Sequence, residues 1–338
     1  ITGSTPASFE PALDYVVVKI PRFAFEKFPG ADSRLGTSMK AVGEVAAMGR
    51  SFEEALLKAI RSLEVDRDSL EAPPAVATAE DTDLERRLAE PTPDRLWELA
   101  EALRRGWGVE RVQAVTGVDP WFLLRMHALV LAEREIAARI DEPGVLAAVK
   151  RLGFSDAHIA RLRGEEISEI ERRRFEAGLF RIRRRVDTCA AEFEARTPYL
   201  YGSFGDGDEQ PTPRRPIIIL GGGPVRIGQG IEFDACCVEA VAGLRAEGYE
   251  AVMVNCNPET VSTDYDAVDR LHFDPLHTED VLEICAAERP IGVIVQLGGQ
   301  TPLKLAADLE CHGVPIRGTT RDAIAVSYTH LTLPTNVQ

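Results

Sequence analysis

Apolar and polar positions divide this chain into three regions with different periods. In the first, residues 13–20 (LDYVVVKI) form a β-rich apolar run. Pro21 has no amide hydrogen to give a ladder, so the strand is predicted to end there or to lie on an edge. Ser51 and Glu54 have the S-x-x-E spacing of a capping box, which predicts a helix through about residue 63. One strand, a loop and one helix cannot enclose a core. Residues 1–64 therefore read as the end of a domain whose body lies before Ile1.

Residues 71–83 (EAPPAVATAEDTD) read as a linker. From there to about residue 208 the apolar residues fall at i, i+3, i+4, and Arg and Glu fill the other faces, which predicts an almost entirely helical region. Thr92 is the expected N-cap with Pro93 at the first helical position. Leu96, Leu99, Ala100 and Leu103 follow on one face, and Gly106 stops the helix. Pro120 opens another helix carrying Phe122, Leu123, Met126, Leu129 and Val130. Ser155 starts a further helix, and Ser168 with Glu171 makes a second capping box. No catalytic constellation stands out here, and the lone His127 and His158 read as packing or surface residues.

Residues 201–215 are Gly-, Asp- and Pro-rich and read as a second linker. Strand and helix then alternate. Strands are predicted at residues 217–220, 251–255, 271–273 and 291–296, and helices at 228–246, 278–287 and 302–312. Glu279 and Asp280 suit the positive end of the second of these helices. Strands separated by helices of this length predict a doubly wound parallel sheet, Rossmann-like in type. The expected fold class is thus α/β plus all-α.

Composition narrows the function. The 338 residues are 45% hydrophobic and 28% charged with a net charge of −15, which argues against nucleic acid as the main partner because phosphate binding needs a basic face. No apolar run approaches the roughly 20 residues that span a bilayer, and no signal-peptide pattern is visible; no membrane partner is expected. The six cysteines contain no C-x-x-C pair, and Cys236 and Cys237 are adjacent. Buried free thiols in a reducing cytoplasm fit that spacing.

The sharpest chemical feature is residues 217–234, IIILGGGPVRIGQGIEFD. A strand enters a glycine turn and leaves into a helix, whose first amides can face an anion. A dinucleotide fingerprint asks for G-x-G-x-x-G and an acid about 20 residues on. Here Arg226 takes the third glycine position, and the second strand ends in Asn255-Cys256-Asn257-Pro258, which argues against a nicotinamide oxidoreductase. A purely structural tight turn satisfies the pattern equally well. Three polar sets would nevertheless meet at the carboxyl ends of the strands: Arg226 and Glu232; Asn257, Glu259, Thr260, Ser262, Thr263 and Asp264; and Gln296, Gly298, Gly299, Gln300 and Thr301. Together they suit a small polar ligand or passage.

These stretches also carry a family resemblance. GGGPVRIGQGIEFD, VNCNPETVSTDYD and VQLGGQTPLKLA are similar to the opening of the second synthetase half in carbamoyl-phosphate synthase large subunits. Residues 5–28 and 39–64 resemble the end of the first half, and residues 185–202 (RVDTCAAEFEARTPYLYG) the exit from the helical domain between the halves. The resemblance implies that residues 1–64 end the first, carboxyphosphate synthetase domain, an ATP-grasp domain. It makes residues 65–208 a helical oligomerisation domain and residues 209–325 the pre-ATP-grasp part of the carbamoyl phosphate synthetase domain. It further implies ATP with magnesium or manganese in the parent enzyme, a glutamine amidotransferase small subunit as partner, and homo-oligomers formed through the helical domain.

The family's metal and ATP residues would fall before Ile1 or after Ala325. No residue of this chain is therefore assigned to catalysis, cofactor or metal, and the fragment alone is expected to be inactive and to bind none of the cofactors fully. What carries over by the resemblance is a substrate-channel wall: Arg226, Gly230, Glu232 and Glu259. Residues 326–338 (VSYTHLTLPTNVQ) match nothing in the family; their first six residues can be encoded by a transposase end sequence used in DNA library preparation, so a disordered, non-native tail is expected. The competing reading is a non-catalytic helical plus α/β binding or assembly module.

Overall fold

The computed structural model describes residues 8–205 and 216–331, which form two compact units. Among the described residues, one gathers 14–182 with 203–205 and is mainly helical; the other gathers 8–13, 183–202 and 216–331.

The helical unit begins with strands β1 (Val16–Arg22) and β2 (Gly43–Gly49), paired antiparallel with Pro21 opposite Glu44. In a two-stranded sheet both strands are edges, which tolerates a proline inside β1. Nothing in the alanine- and glycine-rich GEVAAMG of β2 announces a strand. Helix α1 (Phe52–Ser62) packs on both, with every residue but Phe52 buried. Its capping box is present. Ser51 Oγ accepts from Glu54 N at 3.2 Å, and Glu54 Oε2 accepts from Arg50 N at 2.7 Å, one residue upstream of the usual donor.

There follow α2 (Pro74–Ala77), α3 (Asp81–Ala89), α4 (Arg95–Arg104), α5 (Val109–Thr116), α6 (Pro120–Arg139), α7 (Val145–Arg151), α8 (Asp156–Arg163) and α9 (Ile167–Glu176). The start expected after Ser155 holds, with Ser155 Oγ accepting from His158 N at 3.1 Å ahead of α8; ahead of α6, Asp119, which the sequence reading did not single out, accepts from Trp121 N through Oδ1 at 2.8 Å. Two expected caps do not hold. At α4 the cap is Asp94 rather than Thr92, and it makes no side-chain cap bond because its carboxylate holds Arg67 at 2.8 Å. At α9 the cap is Glu166, and Ser168 lies inside the helix.

The expectation of helix through residue 208 is corrected by two strands, β3 (Arg181–Arg185) and β4 (Tyr199–Phe204). They join β5 (Ile217–Leu220), β6 (Ala251–Asn255), β7 (Arg270–Phe273), β8 (Gly292–Ile294) and β9 (Ile316–Arg317) in one sheet ordered β3-β4-β7-β6-β5-β8-β9. From β4 to β9 every neighbouring pair is parallel. Helices α10 (Glu232–Ala246), α11 (Thr278–Glu288), α12 (Gln300–Cys311) and α13 (Arg321–Leu331) complete the α/β unit. Its core packs Ile218 and Leu220 of β5 with Val252 and Val254 of β6, Val293, Ile284 of α11 and Leu309 of α12.

Helix α10 starts later than residue 228 because Arg226 and Gln229 first pair across a tight backbone bridge. Helix is also present where a disordered tail was expected: α13 runs through Leu331, started by Thr320 Oγ1 accepting from Ala323 N at 3.4 Å. The second linker, expected over 201–215, is corrected at 201–204, which belong to β4; its residues 206–215 and the rest of the tail, 332–338, lie outside the described residues. All six cysteines are free. Cys237, Cys256 and Cys285 are buried, and burial pushes the Cys285 thiol up to about 12.

Candidate functional site at the carboxyl ends of the strands

Along β7-β6-β5-β8-β9 the chain steps outward one way from β5 and then the other, so the strand order reverses between β5 and β8. In open parallel sheets the crevice beyond the carboxyl ends at such a reversal is where ligands bind. The sequence puts glycines on both sides of it. A Cβ at Gly298, after β8, would lie 2.4 Å from the carbonyl oxygen of Gly221, after β5. A Cβ at Gly221 would lie 2.5 Å from Asn255 Nδ2. The two backbones touch because neither carries a side chain there.

Two buried polar side chains hold this turn. Asn255 Oδ1 accepts from Gly223 N at 3.1 Å and Cys256 N at 2.9 Å, while its Nδ2 donates to Asp234 Oδ1 at 3.2 Å and Ser262 Oγ at 2.9 Å. Asp234 Oδ1 also accepts from Gly222 N at 3.0 Å, and its Oδ2 from Thr260 Oγ1 at 2.7 Å. Sequence reasoning gave neither residue this role. Asn255 entered it only as the missing ribose acid, and Asp234 as the end of a motif. Their shared signal was position, the last residue of β6 and the first turn of α10.

Arg226 lies on the loop after β5. Its Nη2 donates to Gln229 Oε1 at 2.7 Å and to Thr301 Oγ1, in the first turn of α12, at 2.6 Å. The β5 and β8 polar sets are thus brought together through Arg226. Glu232, exposed at the start of α10, turns back so that its Oε1 accepts from Gly230 N at 3.2 Å. Glu259, also exposed, follows β6, with its amide donating to Asn257 Oδ1 at 3.0 Å. Asn257 Nδ2 and Gln296 Oε1 are buried near these strand ends without a hydrogen-bond partner among the described residues. The arrangement offers one guanidinium, two carboxylates and two unused amide atoms at the end of the sheet: a polar surface for a small charged solute, with no nucleophile–base pair.

Of the two lone histidines, His158 is buried and stacked on Phe154 at 5.2 Å, which is a packing role. Among the described residues no three His, Cys, Asp or Glu side chains converge as a metal-ligand set. The side chains present do not fit a divalent ion, and no metal-binding residue is assigned. Among the same residues no helix is long and apolar enough to cross a membrane.

Residues 213–326 match the model of the carbamoyl phosphate synthase preATP-grasp domain, and residues 44–178 that of the carbamoyl-phosphate synthetase large chain, oligomerisation domain. Among curated proteins, the carbamoyl phosphate synthase large chain of Ralstonia nicotianae is 53% identical over 329 residues, 95% of this chain and 30% of the relative. That of Myxococcus xanthus is 54% identical over 331 residues, 96% and 31% respectively. That of Pseudomonas putida is 54% identical over 328 residues, 95% and 30%. The chain belongs to the carbamoyl phosphate synthase large-chain family. It spans about 30% of the length of the carbamoyl phosphate synthase large chains it matches. The preATP-grasp match falls on the α/β unit, and the oligomerisation match falls within the helical unit, beginning at Glu44 in β2.

Proposed function

We propose that this chain supplies assembly and carbamate-channel elements to a cytoplasmic enzyme that makes carbamoyl phosphate. The substrates are bicarbonate, ammonia released from glutamine by an amidotransferase small subunit, and two ATP with magnesium or manganese, in the service of arginine and pyrimidine synthesis. The observation that carries this reading is identity above one half along nearly the whole chain with large chains of that enzyme. On this reading residues 1–64 close the first synthetase domain, residues 65–208 form the oligomerisation domain and residues 209–325 open the second synthetase domain. Neither matched model is an ATP-grasp domain proper, so the 338-residue chain alone turns over no ATP.

Carbamate is an anion that water destroys, so its path has to be narrow and polar without holding it. Arg226 attracts the anion, and its hydrogen bonds to Gln229 and Thr301 fix where that charge sits. Glu232 and Glu259 keep the local potential from becoming a trap. Gly230 leaves the passage open. The nearest group a Cβ there would meet is the exposed Glu232 carboxylate, at 2.5 Å, so a larger residue displaces the end of a side chain rather than backbone.

In the complete enzyme, Gly230→Leu should leave two partial reactions largely intact: bicarbonate-dependent ATP hydrolysis, and ATP formation from carbamoyl phosphate and ADP. Synthesis from glutamine or ammonia should fall at least tenfold. All three are measured on one preparation. Full synthesis would remove Gly230 from the route, and collapse of both partial reactions would make the glycine structural. The self-association reading rests on α6, where Trp121, Phe122, Leu124 and Leu131 are all exposed.

A further inference from the structure

The helical unit contains a cavity of about 690 Å³ that the channel reading does not use. Its walls are the end of β1, the segment after α1 and the first turns of α4. Glu64 and Asp66, on its rim, both adopt left-handed backbone at φ +55° and +56°, a strain that non-glycine residues keep where the surroundings impose it. The decisive feature is Glu98, on the cavity wall. Its side chain is 1% exposed, and its Oε2 has no hydrogen-bond partner among the described residues. The nearest cation, Arg87 Nη1, stands 3.8 Å from Oε1, outside hydrogen-bond reach. Burial, helped by the charge of Asp94, raises the Glu98 carboxyl above its usual range. A buried carboxylate left in this way is costly unless a partner arrives.

The arginines around the cavity are already engaged. Arg22 holds Glu26 at 3.0 Å, Arg67 holds Asp94 at 2.8 Å while lying over the Trp97 ring, and Arg86 and Arg87 share Asp83 at 2.6 and 2.8 Å. Carboxylates on the lining outnumber guanidinium groups six to four. Ile20, Phe23 and Leu96 add apolar surface, and the volume falls in the range of small-molecule sites. We propose that this cavity binds a small organic monocation, with its ammonium group on Glu98 and its apolar body against Ile20, Phe23 and Leu96.

The test titrates the 338-residue chain calorimetrically with phenethylammonium chloride, and separately with 2-phenylethanol and sodium phenylacetate. The amine should bind at least tenfold more tightly than the alcohol, and the acid not at all. Glu98→Gln should bring the amine down to the level of the alcohol, and Leu96→Trp, which fills the cavity, should abolish binding of both. The amine-to-alcohol ratio needs no variant, so it decides the matter even if Glu98→Gln fails to fold. Equal affinity for amine and alcohol overturns the proposal. So does absence of amine binding at millimolar concentration, or amine binding that survives Leu96→Trp, which would mark loose attraction to surface carboxylates.

Discussion

The helical unit and the glycine turn of the α/β unit spend their buried polar side chains differently. In the helical unit charged groups serve one another: Arg104 holds Glu101 and Glu133 at 3.0 and 2.9 Å, and fully buried Lys150 and Arg174 share Asp156 at 2.8 Å each. In the α/β unit Asp234 and Asn255 instead serve backbone amides of the glycine turn. Helices satisfy their own interior amides, so their side chains are left to set which helix packs on which. A strand that ends in glycines leaves amides with no ladder partner, and side chains must take them up. Polar burial therefore marks helix packing in the helical unit and the shape of a loop at the glycine turn.

The contrast breaks first at Asn255. Asn255→Ala removes five side-chain hydrogen bonds beside a buried carboxylate, and by the cost of unmet buried groups should destabilise the α/β unit by about 4 kcal/mol. Urea unfolding gives the size, and hydrogen exchange at residues 221–223 gives the place. A loss below about 1 kcal/mol would mean that the turn stands without its side-chain support.

A smaller effect sharpens the helical half. Burial drives the His158 ring down to about 4 from 6.5, with Glu71 pulling the other way. The unfolded chain therefore takes up a proton that the folded one refuses as pH drops from 6.5 to 4. Stability is full above that window and falls through it, by no more than about 3 kcal/mol. Glu133, raised by burial, opposes part of this decline. His158→Gln should flatten the stability–pH curve between 6.5 and 4; an unchanged slope would assign the decline to other groups. Smallest is Ser51→Ala, which deletes one cap bond and should cost about 1 kcal/mol in thermal or urea unfolding.

Legibility followed locality. Strands β5 and β6 were read residue for residue from their apolar runs, the caps of α1 and α8 from residues next to the helices they start, and the start of α6 from Pro120. The failures needed a distant partner. The RIRRR of β3 looks like a charged surface until Asp274, at 3.0 Å from Arg183 Nη1, supplies the counter-charge from beyond β7. Thr92 lost its cap role because α4 begins only at Arg95, with Asp94 before it, and Ser168 because α9 already begins at Ile167. At the candidate site the exposed residues were readable as a polar pattern, and the four channel positions came by resemblance. Asp234 and Asn255 were not readable, since their work is defined by amides that only the folded turn exposes.

The central place of β5 also has a consequence in time. Ile217 pairs with Ala251 on one side and with Gly292 on the other, so β5 receives its second neighbour only after β6 and β7 have been made. Parallel pairing over that span must close a long loop before any contact rewards it, which slows the final step. During synthesis β5 carries a bare edge until β8 has left the ribosome. The crevice beside Gly221 and Gly298 accordingly forms only once β8 is in place, and a chain stalled before β8 presents an open parallel edge to whatever is near it.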